Sequence, residues 1–151
     1  MRFSKLKTFM ELPFRDKLFF LDTVLLLSIS KLVIFTVPFK KVAPYLGKVN
    51  GTIEDTIDTR QTDKAERVKL FVNMAAGNVP FKSVCLDQAM AGMLLLRRFK
   101  IPSNLCLGVK RNEKEQKLDA HAWIECGGRI LIGGQRSLQY NKVAHFTNSP
   151  K

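Results

Sequence analysis

The chain has 151 residues, of which 46% are hydrophobic and 25% are charged. These proportions fit one ordinary globular domain with a helical extension, and they exclude a disordered or fibrous protein. The formal net charge of +12 attracts nucleic acid, anionic lipid or acidic peptides without distinguishing among them. Because the Lys and Arg residues are spread along the chain without interleaved aromatic residues or a known binding motif, nucleic acid is not an expected partner.

The three cysteines, Cys85, Cys106 and Cys126, form an odd set without a closely spaced pair. This spacing argues against a secreted disulfide framework and favours a reducing cytoplasm. It also argues against structural zinc, whose ligands usually come in closely spaced pairs, so no metal or other cofactor is expected. The N-terminus has no apolar segment followed by a small-residue cleavage site, and it therefore does not resemble a secretory signal.

The segment 18–39 is the most apolar part of the chain, and Asp22 and Lys31 interrupt it. A helix that spans a bilayer needs about 20 mostly apolar residues, and a charge near its centre costs about 2.5–3.5 kcal/mol. We therefore expect a helix that packs on the domain, or docks on a partner or a membrane surface, rather than one that spans a bilayer. Pro38 and Pro44 end its helical pattern.

Composition divides the chain into three segments. Residues 1–46 form an apolar helical arm, residues 47–62 a polar linker, and residues 63–151 the core domain. We expect the arm, together with the basic surface, to dock the substrate or a partner protein.

The core domain is predicted to begin with a helix that runs from a capping box to a glycine. Asp63 followed by Glu66 resembles such a capping box, and the helix is expected to reach Ala76. Gly77 is expected to end it by adopting a left-handed conformation. The apolar face of this helix comprises Val68, Phe71, Val72 and Ala75.

Cys85 is expected in the first turn of the next helix, with Ser83 as its N-cap. In that position the unpaired backbone N–H groups and the positive end of the helix dipole favour a thiolate. The small residues Ala89 and Gly92 share a helix face with Cys85 and allow another layer to approach it. A buried structural cysteine is the alternative interpretation, because free cysteines are among the most buried residues.

The pattern then changes to that of strands. Segments 105–109, 118–126 and 129–132 are typical of strands, and Gly127-Gly128 predicts a tight hairpin turn between the last two. An α+β fold is therefore expected, with helices followed by an antiparallel sheet. His121 lies on the middle strand, where an ordinary structural histidine is the alternative. A cysteine that opens a helix and a histidine on a later strand are the general arrangement of a thiol nucleophile and its base.

Several segments carry a resemblance to one family: 37–41, 46–47, 80–89, 94–102, 107–109, 121–125 and 127–129. In order and spacing they are similar to the transglutaminase-like leader peptidases of bacterial lasso peptide biosynthesis. This resemblance implies a transglutaminase-like or papain-like cysteine protease core with an N-terminal helical extension. It further implies that Cys85 attacks the peptide bond joining leader and core of a ribosomally made precursor. His121 would take the thiol proton and later give it to the leaving amine.

The same resemblance implies the partners. Some members of the family carry a fused leader-recognition domain, and this chain resembles the stand-alone form without one. Its expected partners are the lasso precursor peptide, a small leader-recognition protein and a lasso cyclase in the bacterial cytoplasm. Contact with a membrane surface through the N-terminal helix is a further expectation.

The third catalytic group is where the sequence departs from the family, which normally adds an aspartate after the histidine. With a two-residue glycine turn, His121 is expected to face Gly134, which offers no carboxylate. Asp119 lies on the same strand face as His121 and can substitute for it. Gln135 can turn inward if Gly133 and Gly134 form a bulge. A backbone carbonyl or a water molecule can also fix the imidazole tautomer, and the sequence leaves these alternatives open.

Two further residues are candidates for substrate binding. Gln88 lies one turn beyond Cys85, and Trp123 shares the strand parity of His121. The backbone N–H of Cys85 is a natural donor to an oxyanion, because it is unpaired at a helix start. Two rival functions stay open: a catalytically silent scaffold that binds the leader, and a transglutaminase-like acyl transferase that passes its thioester to an amine.

Overall fold

The computed structural model describes residues 2–54 and 56–150, without the side chains of residues 2–6 and 135. The α-helices of this part are α1 Arg2–Glu11, α2 Phe14–Thr36, α3 Phe39–Leu46, α4 Thr59–Ala76 and α5 Cys85–Arg98. The strands are β1 Lys48–Val49, β2 Ser103–Asn112, β3 Lys117–Cys126, β4 Arg129–Ile132 and β5 Asn141–Asn148, with a 3₁₀ helix at Gln135–Gln139. The predicted α+β class is confirmed.

The strands form one antiparallel sheet in the order β1-β5-β2-β3-β4. The β3–β4 hairpin turns through Gly127 and Gly128, whose φ angles of 59° and 72° are both left-handed. Such a pair is what a tight primed turn requires, so the predicted hairpin is confirmed. The last strand, β5, carries His145 into the sheet and pairs with β2.

Helix α4 begins earlier than its sequence predicted. The capping box is formed by Asp58 and Gln61, with Asp58 Oδ1 accepting from the Gln61 N–H at 2.7 Å and Gln61 Oε1 accepting from the Asp58 N–H at 3.1 Å. The predicted start at Asp63 is therefore wrong, while the end at Ala76 and the buried apolar face are confirmed. Gly77 has φ −79° and ψ −7°, a right-handed conformation, so the expected left-handed end is also wrong.

Helix α5 packs on one face of the sheet and forms the centre of the core. Its buried residues belong to one hydrophobic core with Ala122 and Ile124 of β3, Ile132 of β4 and Phe146 of β5. A Cβ at Gly92 would lie 2.5 Å from Ile132 Cδ1. The absence of a side chain at position 92 therefore lets α5 approach β4 closely, as the small residues of this face predicted.

Helix α2 lies lengthwise on α4 and α5. Phe19 packs edge-on against Phe71 with ring centroids 4.9 Å apart. The charged residues of α2 pair with the body of the protein: Asp16 with Arg67 at 2.5 Å, Asp22 with Arg98, and Lys31 with Asp87 at 3.8 Å. By length and composition alone α2 is able to cross a membrane. In the folded chain this helix is packed on the domain, and Asp16, Asp22 and Lys31 are paired with it.

The helical arm and linker contact the core domain. Val42 and Leu46 of α3 belong to the main hydrophobic core, and β1 pairs with β5 at the edge of the sheet. The division of the chain at residues 46 and 62 stays a prediction.

Candidate active site

The thiol of Cys85 lies at the start of α5. Val84 precedes the helix, and its N–H donates to Asp87 Oδ1 at 2.8 Å. The expected N-cap role of Ser83 is therefore wrong, and its buried hydroxyl makes no hydrogen bond within the described residues. The expectation that Cys85 opens the helix is confirmed. Its backbone N–H belongs to the first turn, which has no intrahelical acceptors.

The imidazole of His121 is held on three sides. Its ring lies 5.9 Å from the Trp123 ring in a stacked arrangement and 5.0 Å from the Tyr140 ring. Nε2 lies 3.3 Å from the Gly133 carbonyl oxygen and 3.1 Å from Ser137 Oγ. Because a carbonyl oxygen can only accept, Nε2 carries the proton in the neutral ring. The lone pair is then on Nδ1, which is the nitrogen of this ring that can accept a proton.

The surroundings of His121 favour its neutral form. Burial is the main cause that lowers the pKa of His121, and the nearby Arg136 cation lowers it further. The hydrogen bond to the Gly133 carbonyl acts in the opposite direction and offsets part of this effect. An unprotonated imidazole at neutral pH is the state that a general base requires.

Cys85 and His121 line one cleft of about 510 Å³. The other lining residues are Lys69 and Asn73 of α4, Gln88 of α5, residues 130–134, and Arg136. Helix α5 packs on the sheet face of Ala122 and Ile124, whereas His121 shares the opposite face with Trp123. The edge strand β4 ends at Ile132 and pairs with β3 only as far as Ile124, so it does not cover the edge of β3 at His121. Both side chains line the same cleft.

The register of the β3–β4 hairpin differs from the predicted one. Cys126 pairs with Arg129 as expected, but a bulge then shifts the register and Ile124 pairs with Ile132. The predicted pairing of His121 with Gly134 is therefore wrong, because it assumed a regular ladder. A bulge adds one unpaired residue to one strand, and it displaces every later partner by one position.

Of the two side chains predicted to substitute for the missing aspartate, Asp119 is not what the imidazole contacts in the described part of the chain, and Gln135 stays a prediction. Asp119 accepts a hydrogen bond from Asn112 Nδ2 at 3.4 Å and does not line the cleft. Gln135 begins the 3₁₀ helix, and its side chain lies outside the described residues. A backbone carbonyl was the third alternative, and the Gly133 carbonyl is in that position. Ser137 was missed, because no local pattern marks a serine inside a short 3₁₀ turn.

Gly133 is required by the geometry of this contact. Its φ of +110° is rarely adopted by residues with a side chain, and a Cβ would lie 2.5 Å from Trp123 Cβ and 3.1 Å from Ser137 Oγ. The turn after β4 can therefore approach β3 closely enough for its carbonyl to reach His121.

The two candidate substrate-binding residues have different positions. Gln88 lines the cleft. Trp123 lies behind the imidazole in a cluster with Cys106 and Tyr140, and its Nε1–H donates to Glu125 Oε1 at 3.0 Å. It is not part of the cleft lining, so its contact with the site runs through the His121 ring.

The charged residues of the described cleft lining are Lys69 and Arg136, and no carboxylate accompanies them there. The cleft is therefore electropositive and complementary to an acidic group.

The three thiols lie in different environments. Cys85 is partly exposed, whereas Cys106 and Cys126 are buried. Burial raises the pKa of Cys106 to about 12 and that of Cys126 to about 11. Only the thiolate form is strongly nucleophilic, so burial and a raised pKa disfavour these two cysteines as nucleophiles.

One comparison with known proteins finds a match. The family model of the Transglutaminase-like superfamily matches residues 33–145. No curated protein and no solved structure matches the chain. The matched segment contains both Cys85 and His121.

Proposed function

The chain belongs to the transglutaminase-like superfamily, and from this premise we propose that it is a cysteine peptidase with Cys85 as nucleophile and His121 as general base. The transglutaminase-like fold that the sequence predicted is confirmed. The superfamily supports cysteine peptidase or acyl transferase chemistry in general. The observation that carries the specific proposal is the shared cleft, which contains a thiol at a helix start and an imidazole whose Nδ1 is available.

In the proposed mechanism, Nδ1 of neutral His121 takes the thiol proton of Cys85. The thiolate attacks the carbonyl carbon of the scissile bond, and the developing oxyanion accepts a hydrogen bond from the backbone N–H of Cys85. The C–N bond breaks as the imidazolium returns its proton to the leaving amine. A water molecule, deprotonated by the same imidazole, then hydrolyses the thioester and regenerates the thiol.

The Gly133 carbonyl and the Ser137 hydroxyl are the proposed orienting groups. They hold the Nε2 proton and the ring plane, which is the part that a carboxylate plays in a triad. Neither carries a full charge, so they stabilise the imidazolium less than an aspartate does. We therefore expect an active enzyme whose third group contributes modestly.

We further propose that the substrate is the precursor of a lasso peptide. The support is the order and spacing of the sequence segments that resemble the lasso leader peptidases. The reaction would release the leader in the bacterial cytoplasm, together with a separate leader-recognition protein and a cyclase. Gln88, Lys69 and Arg136 line the cleft. In this proposal Gln88 hydrogen-bonds the peptide, and the two cations attract an acidic side chain of it.

The test of this function uses a lasso precursor peptide and its leader-recognition protein, with cleavage followed by mass spectrometry. We expect the wild type to release the leader and Cys85→Ala and His121→Ala to lose this activity. Cys126→Ala removes a buried thiol outside the cleft and serves as the matched control. Leader release by Cys85→Ala at the wild-type rate would contradict the proposal. The product mass distinguishes addition of water from transfer to an amine.

A catalytically silent scaffold is distinguished by thiol reactivity. At pH 8 a thiol with a pKa of about 12 is ionised in about one molecule in ten thousand, and one with a pKa of about 11 in about one in a thousand. We expect iodoacetamide to label Cys85 in the native protein, and Cys106 and Cys126 only after unfolding. The His121→Ala variant should label Cys85 more slowly than the wild type does. Equal labelling of all three thiols in native protein would support the scaffold instead.

A further inference from the structure

Helix α2 carries an apolar row that no part of the described chain covers. The row comprises Leu18, Leu21, Leu25, Ile29, Leu32 and Phe35, which are between 44% and 86% exposed. Spacings of three and four residues place these side chains on one side of the helix. The row runs from Leu18 to Phe35 of this 23-residue helix, so it is a continuous apolar stripe about 26 Å long. A stripe of this size on a soluble domain marks an interaction surface.

The opposite side of α2 is fixed to the domain. Phe19 packs on Phe71, and Leu27 is fully buried against α4 and α5 residues. The ion pairs from Asp16, Asp22 and Lys31 to the domain hold the helix at three points along its length. These contacts lie along the length of the helix. The stripe is therefore on the outer side of α2, with its long axis parallel to any surface that binds it.

Basic residues lie at both ends of the stripe. Lys7, Arg15 and Lys17 lie near its first residues, and Lys40 and Lys41 follow its last. Residues 1–41 contain eight Lys and Arg and three Asp and Glu. Two of those three acids are the ones paired with arginines of the domain, which leaves the ends of the stripe positive.

The charges at the two ends of the stripe favour one kind of binding partner over the others. In a two-fold dimer formed along the stripe, the neighbouring helices run either parallel or antiparallel. Either arrangement brings a positive end of one copy beside a positive end of the other, which is unfavourable. A protein partner usually adds about one hydrogen bond per 100–200 Å², and the stripe offers no polar side chain for it. An anionic lipid surface satisfies both the apolar row and the basic ends.

We propose that α2 lies in the interface of an anionic membrane, with the stripe at the boundary of the acyl chains and the flanking Lys and Arg side chains at the lipid phosphates. The helix does not cross the bilayer while it is packed on the domain. The peptidase would then act at the membrane surface. This inference rests on α2 and the basic residues at its two ends, and it is independent of the catalytic proposal.

The first test measures flotation of the full chain with vesicles. We expect binding to vesicles of phosphatidylcholine mixed with phosphatidylglycerol, and weaker binding to phosphatidylcholine alone. The variant Leu25→Gln/Leu32→Gln should lose at least about tenfold in affinity, because each leucine loses its apolar insertion. Leu70→Gln/Leu118→Gln is the matched control, since Leu70 and Leu25 are both 57% exposed while Leu70 and Leu118 lie off the stripe. The control should bind as the wild type does.

The second test removes charge at one end of the stripe. Lys40→Gln/Lys41→Gln should weaken binding to the anionic vesicles by about tenfold or more, given roughly 1 kcal/mol per lysine near such a surface. Lys114→Gln/Lys117→Gln, in the distant β2–β3 turn, should leave it unchanged. Unchanged binding of the leucine variant, or equal binding to both kinds of vesicle, would overturn the proposal. A wild-type dimer that the leucine variant converts to a monomer would overturn it as well, in favour of a second copy.

Discussion

The two histidines of the chain make the same kind of hydrogen bond at different places in the sheet. His121 Nε2 lies 3.3 Å from the Gly133 carbonyl oxygen, and His145 Nε2 lies 2.8 Å from the Gly51 carbonyl oxygen. The backbone of His145 makes two further hydrogen bonds. Its backbone N–H donates to Asn50 Oδ1, and its carbonyl oxygen accepts from the backbone N–H of Asn50. His145 thereby ties the segment after β1 to β5. His121 differs from His145 because it also lines the cleft that Cys85 lines.

The comparison shows that a hydrogen bond from a histidine to a backbone carbonyl does not by itself indicate a function. At both positions the bond fixes the ring and assigns the Nε2 proton. The difference lies in what the rest of the ring faces: a cleft with a thiol beside β4, and a packed loop beside β1. We therefore expect the two histidines to differ in function, and the same substitution made at each position should show that difference.

The largest expected effect comes from replacing each histidine by glutamine, whose amide can still donate to a carbonyl. His121→Gln should lower kcat/KM by about 100- to 10,000-fold, the usual contribution of a general base. His145→Gln should keep the activity and cost about 1 kcal/mol of stability through an altered hydrogen bond. Cleavage kinetics and thermal unfolding measure the two effects. Equal loss of activity in two folded variants would remove the distinction between the histidines.

A smaller effect is expected from the hydroxyl beside His121. Ser137→Ala removes one partner of Nε2 and leaves the Gly133 carbonyl, so kcat should fall about three- to tenfold with little change in KM. Ser103→Ala is the matched control, because Ser103 is an equally buried serine that contacts Met93 Sδ instead. Asp119→Asn should leave kcat unchanged. A loss with Asp119→Asn greater than that with Ser137→Ala would show that Asp119 is the orienting group after all.

Local signals in the sequence predicted what local chemistry determines. The Gly127-Gly128 turn, the strand of His121 and the helix start at Cys85 each follow from a few adjacent residues, and the structure has all three. The predicted start of α4 was wrong because the sequence contains two candidate capping boxes, one beginning at Asp58 and one at Asp63. Asp58 is the cap that forms, and Ile57 just before it packs against the main core. Such a preference depends on tertiary contacts that a capping pattern does not contain.

The surroundings of the imidazole could not be predicted for a related reason. The bulge that shifts the β3–β4 register depends on how the folded sheet packs. Because of this shift, Gly134 does not pair with His121. The contact with Ser137 depends on a 3₁₀ turn that follows two glycines of positive φ, Gly133 and Gly134. Neither feature has a residue pattern of its own. The sequence identified the candidate nucleophile and base, whereas the contacts around them required coordinates.

A third prediction sharpens the comparison through charge. Arg136 is one cause of the lowered pKa of His121, after burial. Arg136→Gln should therefore raise the pKa of His121, and the acidic limb of the kcat/KM profile should move to higher pH. In an NMR titration the His121 ring signals should shift, while the His145 ring signals serve as the internal reference. The control Arg111→Gln changes a charge outside the cleft and should leave the profile in place. A profile of Arg136→Gln that moves to lower pH would contradict the electrostatic account.

The smallest expected effect is on stability, and its sign follows from the same lowered pKa. Because folding lowers the pKa of His121, the unfolded chain takes up a proton first as the pH falls through about 6.5. The stability associated with the neutral imidazole is thus fully present above that pH and decreases as the pH falls through the lower, folded value. Thermal unfolding between pH 8 and pH 5 should show this decrease in the wild type, and His121→Gln should make it shallower. If His121→Gln leaves the slope unchanged while His145→Gln flattens it, the proton uptake belongs to the other histidine, and burial of His121 is not what makes the fold sensitive to acid.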